Sequence, residues 1–128
     1  MKREIKFRGK STETNEWLYG DLVEYPQGEF QIWTKIREDG GHNFMVIPET
    51  VGQFTGLYDK NGKDIYEGDI VKDEYESFDI YGEVVYEHGK WIAKNDDDAV
   101  YSELSDFYKG VEVVGNIHDN PELLTTNH

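Results

Sequence analysis

Oxygen-bearing side chains recur along Asp59-Lys60-Asn61-Gly62-Lys63-Asp64, a run from which a calcium loop could be built. An EF-hand loop needs oxygen ligands at positions 1, 3, 5 and 12, with glycine at 6. Here the fifth residue is Lys63, the glycine comes fourth and the twelfth residue is Ile70, so the run reads as a hairpin turn. Asp96-Asp97-Asp98, with Glu103 and Asp106 downstream, could gather a hard cation. A solvated helix start explains the same acids without a metal. His118-Asp119 could act as an acid–base pair, but nothing nearby resembles a nucleophile or an oxyanion site. His42, His88, His118 and His128 show no ligand spacing, and His88 and His128 read as turn and tail residues. Gly40-Gly41 lacks the Lys-Ser/Thr and the helix of a phosphate loop. With no cysteine in the chain, thiolate metal sites, disulfides and cysteine nucleophiles are excluded. No catalytic constellation, metal site or cofactor emerges, and a non-enzymatic protein is expected.

Aromatic side chains are what remain. Nine Tyr, six Phe and three Trp are too many for a disordered acidic chain and leave rings to spare for contacts. Trp17, Trp33 and Trp91 are the candidate binding residues, as exposed rings able to grip proline-rich or cationic segments. Trp33 is the best of them, because Phe30, Ile32 and Ile36 alternate with it and claim the opposite face of their strand.

Charge limits the partners. The net charge of −14 comes from 27 acids against 13 bases, spread along the chain. Counterion release on phosphates needs clustered cations, so nucleic-acid binding is not expected unless Lys2, Arg3, Lys6, Arg8 and Lys10 gather as one basic edge. An acidic surface can instead attract basic proteins or imitate a phosphate backbone. No apolar run reaches transmembrane length and the N-terminus does not read as a signal peptide, so a cytoplasmic protein is expected.

The elements that must position these rings are mostly strands. Ile5 and Phe7 alternate with Lys6 and Arg8, Trp17 to Tyr25 follows, and Pro26-Gln27-Gly28 turns the chain into a clean alternation from Phe30 to Arg37. Asn61-Gly62 suits a two-residue type I′ hairpin, and His88-Gly89 a second tight turn. Phe44 to Ile47, Asp69 to Tyr75, Phe78 to Glu87, Lys90 to Ala93 and Val111 to Ile117 complete the strands. One stretch differs: Val100, Leu104, Phe107 and Tyr108 sit at helical spacing, with acids before and Lys109-Gly110 after. That pattern predicts a short helix near 98–109.

The sequence also repeats itself. Phe7-Arg8-Gly9 followed by Leu18-Tyr19-Gly20-Asp21-Leu22-Val23 is echoed by Phe54-Thr55-Gly56 and Ile65-Tyr66-Glu67-Gly68-Asp69-Ile70-Val71. Two β units of similar plan are therefore expected, 1–53 and 54–124, with a tail at 125–128. In each copy the Gly-Asp step would turn the chain, the Asp would accept backbone N–H groups, and a buried strand would follow.

The blocks Glu4-Ile5-Lys6-Phe7-Arg8-Gly9-Lys10, Val51-Gly52-Gln53-Phe54-Thr55-Gly56-Leu57, Asp59 to Val71 and Val114 to Leu124 closely resemble the YopX family, whose members are encoded mainly by bacteriophages and prophages. The resemblance implies a mostly-β protein with an SH3-like barrel in its C-terminal part. It supplies no catalytic residue or ligand. The combined reading is a phage or prophage accessory protein that binds a protein partner or assembles with itself as a homo-oligomer. A nucleic-acid-handling small barrel, or an acidic nucleic-acid mimic, is the alternative.

Overall fold

A computed structural model describes residues 4–37, 40–75, 78–95, 100–104 and 110–125 of the chain. It is almost entirely antiparallel β-structure, divided into two compact units, Met1–Phe54 and Thr55–His128.

The first unit contains β1 (Phe7–Lys10), β2 (Trp17–Glu24), β3 (Phe30–Arg37), β4 (Gly40–Val46) and the start of β5 (Gly52–Tyr58). Its strand order is β4-β3-β2-β1-β5. Alternation decides which residues go inside. Leu22 lies opposite Ile32 and Ile32 opposite Phe44, while Phe30 faces Val46. Ile32 and Val46 are fully buried on that face, with Leu22, Phe30 and Phe44 half-buried beside them. The sheet curls, so that the end of β4 returns to the end of β1. Ile47 N–H donates to Lys10 O (2.8 Å) and Thr12 N–H to Met45 O (3.1 Å), flanking a single bridge between Ser11 and Val46. The Thr50 hydroxyl, in the 3₁₀ turn Pro48–Thr50, accepts Lys10 N–H at 2.9 Å and fastens that corner.

In the second unit the rest of β5 pairs with β6 (Asp64–Tyr66). A five-stranded sheet follows, in the order β10-β9-β8-β7-β11, built from β7 (Asp69–Tyr75), β8 (Phe78–Glu87), β9 (Lys90–Asn95), β10 (Val100–Glu103) and β11 (Glu112–Asn116). Ile65, Val71, Val84, Ala93, Leu104, Val111 and Val113 form its core, with Leu57 and Trp91 packed against it.

Three sequence expectations need correction. Among the described residues the strand order is open and no barrel closes, so the SH3-like barrel over 54–124 is not formed as a closed structure. Part of the span of the helix expected near 98–109 is not helical. Val100–Glu103 is a strand instead, with Val100 opposite Asn95 and Glu103 opposite Ile92, and Leu104 enters the core. Val100 and Tyr101 suit a pleated edge, and the open side of β9 offers them backbone partners that outweigh the helical spacing. Leu104 is itself helical, and positions 98, 99 and 105–109 of the expected helix lie outside the described residues. The third correction concerns Asn61-Gly62. Gly62 has φ +81° but Asn61 is not in the left-handed region, so the turn is not type I′. Asp59 accepts Gly62 N–H and donates its own N–H to Lys63 O, a three-residue loop that closes on a left-handed glycine. Tyr25, Gly28 (φ +91°) and Glu29 repeat the same bonds between β2 and β3. The type I′ turn is at His88-Gly89, where both φ values are positive, at 54° and 79°.

The sequence echo is only half structural. Gly68 (φ +90°) does turn the chain, and the buried Asp69 carboxylate accepts Tyr66 N–H at 2.7 Å before β7 begins. In the first copy Gly20-Asp21 lies in the middle of the unbroken strand β2, and Asp21 is exposed.

Candidate interaction face

Two of the chemistry-bearing stretches, 59–64 and 118–119, are structural turns. Asp59 is buried, and its Oδ1 accepts the N–H groups of Asn61 (2.8 Å) and Lys63 (2.9 Å) while Oδ2 accepts that of Val113 (2.9 Å). Desolvation pushes the Asp59 carboxyl up, but these three donors and the Lys63 charge outweigh it and hold the pKa below the usual carboxylate range. A carboxylate so committed holds the β5–β6 loop against β11 and is not presented to a cation. Asn116 organises the His118-Asp119 turn: its Oδ1 accepts both backbone N–H groups, and its amide donates to Asp119 Oδ2 at 3.1 Å. His88 is in its turn and His42 stands beside Phe44, ring centroids 6.0 Å apart. Asp96, Asp97, Asp98, Asp106 and His128 lie outside the described residues, and Glu103 lies 3.8 Å from Lys90 Nζ. Among the described residues no three His, Asp or Glu side chains group so as to hold a metal.

The aromatic candidates fall into two places. Trp91, in the second unit, packs against the core and meets Tyr86 edge-on at 4.9 Å, with Tyr86 the exposed member of the pair. Trp17 and Trp33 belong to the first unit and share its outer sheet face. Register shows this: Trp17 pairs with Lys10, Tyr19 with Arg8, Asp21 with Trp33 and Trp33 with Asn43. Side chains opposite one another, or two apart along a strand, lie on one face. That face presents Tyr19 (47 % exposed), Trp33 (40 %) and Met45 (46 %), together with exposed Asp21, Lys35 and Asn43. Trp17 is half-buried because its ring carries the Arg8 guanidinium at 4.6 Å and Lys10 Nζ at 5.5 Å. Lys6 Nζ lies 4.7 Å from the Phe54 ring centroid and 3.6 Å from Glu4.

Lys6, Arg8 and Lys10 therefore do gather, on one sheet face, but they are laid over rings of their own unit and Arg8 is only 5 % exposed. Lys2 and Arg3 lie outside the described residues. Met45 was not singled out from the sequence, because its place on this face needs the register of β3 against β4.

The crystal structure of protein EF1440 from Enterococcus faecalis is similar to this chain, with 27 % sequence identity and a TM-score of 0.59. The match covers 96 % of this chain and 99 % of that one. No curated protein matches the sequence. No helix among the described residues is long and apolar enough to cross a membrane. The YopX protein family matches residues 6–125, and with nearly the whole sequence aligned the chain belongs to the YopX family.

Proposed function

We propose that this YopX-family chain is a non-enzymatic interaction module, a phage or prophage accessory protein working in the bacterial cytoplasm. It binds protein through the outer sheet face of its first unit. The observation that carries this reading is the grouping of Tyr19, Trp33 and Met45, each two-fifths or more exposed, on a single face. Aromatic rings and methionine are the residues that enrich protein interfaces and supply their binding energy. A rigid antiparallel sheet fixes their spacing in advance, which lowers the entropy lost on binding. The second unit is read as an SH3-like relative, a five-stranded antiparallel sheet with the β5–β6 hairpin tied to β11 through Asp59. Its role in this reading is support; of its exposed rings Tyr58 and Tyr86, the latter packs on Trp91.

A nucleic-acid-handling role draws support from the shared face of Lys6, Arg8, Lys10 and Trp17. It ranks second because Arg8 is buried and the net charge of −14 opposes a polyanion.

Capture from bacterial lysate on the immobilised chain tests the leading reading. Tyr19→Ala and Trp33→Ala are each expected to weaken retention of a bound protein by roughly 30-fold, the effect of losing an interface hot spot. Tyr86→Ala is expected to leave retention unchanged. Equal retention by all three variants would rule out the face.

A further inference from the structure

β4 is the outermost strand of the first unit, and its own residues lack the charges and proline that keep an exposed strand from pairing; the register shift in its ladder lies on β3, between Lys35 and Arg37. Its residues, Gly40-Gly41-His42-Asn43-Phe44-Met45-Val46, include no lysine, no acid and no proline. Such residues, bulges and short lengths are how edge strands ordinarily avoid other chains. The other terminal strands are protected: β6 has three residues, β10 has four and includes Glu103, and β11 includes Glu112 and a register shift between Val113 and Gly115. β4 has seven residues and is flanked on its outer face by exposed Trp33 and Met45.

The direction of its free backbone groups follows from two bonds. Met45 O accepts Thr12 N–H and Ile47 N–H donates to Lys10 O, both on the side away from β3. A strand residue points its N–H and C=O to the same side, and successive residues alternate. Asn43 and Gly41 therefore also aim N–H and C=O outward. Beyond Met45 the returning end of β1 no longer covers the edge, and among the described residues no bond reaches these groups. His42 and Asn43 are exposed.

Resting on the interaction-module reading above, we infer that the partner of this edge is a second copy of the chain. The two β4 strands pair antiparallel about a two-fold axis through His42. This register sets Gly41 opposite Asn43 of the second copy, and the reverse, so that each narrow pair exchanges two N–H···O=C bonds. It avoids Met45, whose carbonyl already accepts from Thr12. A self-complementary edge favours this occupant: the outward groups are the same on both strands, and β4 brings no like charge to the pairing although each chain carries −14. Gly41 brings no side chain to the pairing. A Cβ there would stand 2.5 Å from Thr34 O and 2.8 Å from the Trp33 ring, so the indole and the β3 backbone lie close against Gly41.

Solution mass against concentration tests the pairing on the full chain. Wild type is expected to pass from 14.9 kDa to twice that mass as concentration rises. Asn43→Pro removes an outward N–H without touching the β3–β4 ladder. It deletes two of the four bonds of the dimer and is expected to raise the dissociation constant roughly 100-fold. Asn43→Lys, on the same exposed position, is expected to leave the thermal midpoint of the monomer unchanged and also to block pairing. Backbone amide exchange at Gly41 and Asn43 is expected to slow with concentration in wild type only. A wild type that stays monomeric at every concentration, with fast exchange at both amides, would overturn the inference, as would a dimer that survives both variants. The site's two claims separate cleanly. A wild type that never pairs while protein capture through Tyr19 and Trp33 is intact refutes only the second-copy edge, whereas pairing without capture refutes only the face.

Discussion

Asp59→Ala is expected to destabilise the second unit by about 3 kcal/mol, lowering its thermal midpoint by roughly 15 °C. The Val113 amide that donates to Asp59 Oδ2 is buried, and without the carboxylate it has no water to turn to. A buried donor left unsatisfied costs about 1–3 kcal/mol, and a hydrogen bond to a charged group is stronger than a neutral one. The Asn61 and Lys63 amides are only part-buried and recover some of their loss by hydration. Asp59→Asn retains an acceptor oxygen but not the charge, and should cost about half as much. The effect is also visible in pH. Burial raises the Asp59 pKa, the backbone donors and Lys63 lower it further than that, and the net shift is downward. Folding is therefore favoured by the ionised form. The contribution is complete above the unfolded carboxyl value of about 3.9, diminishes as pH drops below it, and is gone once pH has fallen through the folded value. Urea titrations of wild type and Asp59→Asn between pH 6 and pH 2 should converge toward the acid end, at ~pH 2. Parallel curves would show that Asp59 does not hold the loop through its charge.

The two Gly-Asp steps are expected to answer mutation in opposite ways. Asp69→Ala removes a carboxylate, 2 % exposed, that accepts the buried Tyr66 amide at 2.7 Å, and should cost about 2 kcal/mol. Asp21→Ala changes an exposed side chain in mid-strand and should stay within about 0.5 kcal/mol. Chemical denaturation of the two variants beside wild type reads the difference directly. Comparable losses would mean that both copies use the aspartate as a turn cap, contrary to the geometry of β2.

This contrast shows why the echo could be seen in the sequence and still be misread. Leu-Tyr-Gly-Asp and Ile-Tyr-Glu-Gly-Asp differ by one residue. That extra residue, Glu67, gives the second copy room to turn before β7, whereas the first copy runs straight through. Nearest-neighbour alternation was legible: Phe30 to Arg37 set Ile32 inside and Trp33 outside because the period of a strand fixes the face. Long-range partners were not. Val100 to Glu103 carry a helical spacing, and only the open side of β9 makes them a strand. Asn61-Gly62 names a turn but not its type, which Asp59 settles by capping two amides from within the loop. Trp17 reads as an exposed ring until Arg8 and Lys10, from the neighbouring strand, are found lying on it. Trp91 reads the same way until the core and Tyr86 claim it. Met45 reaches the candidate face through a pairing between strands that no local pattern encodes.

A photo-crosslinking amino acid placed at position 35 of the full chain, exposed beside Trp33 on the same sheet face, and separately at position 86, tests most directly whether the first unit's outer face is the binding surface. Irradiation in bacterial lysate is expected to give a discrete protein adduct from position 35 and none from position 86, and Tyr19→Ala is expected to abolish that adduct. An adduct formed only from position 86, or no adduct from position 35 while the chain still captures protein, would contradict the account.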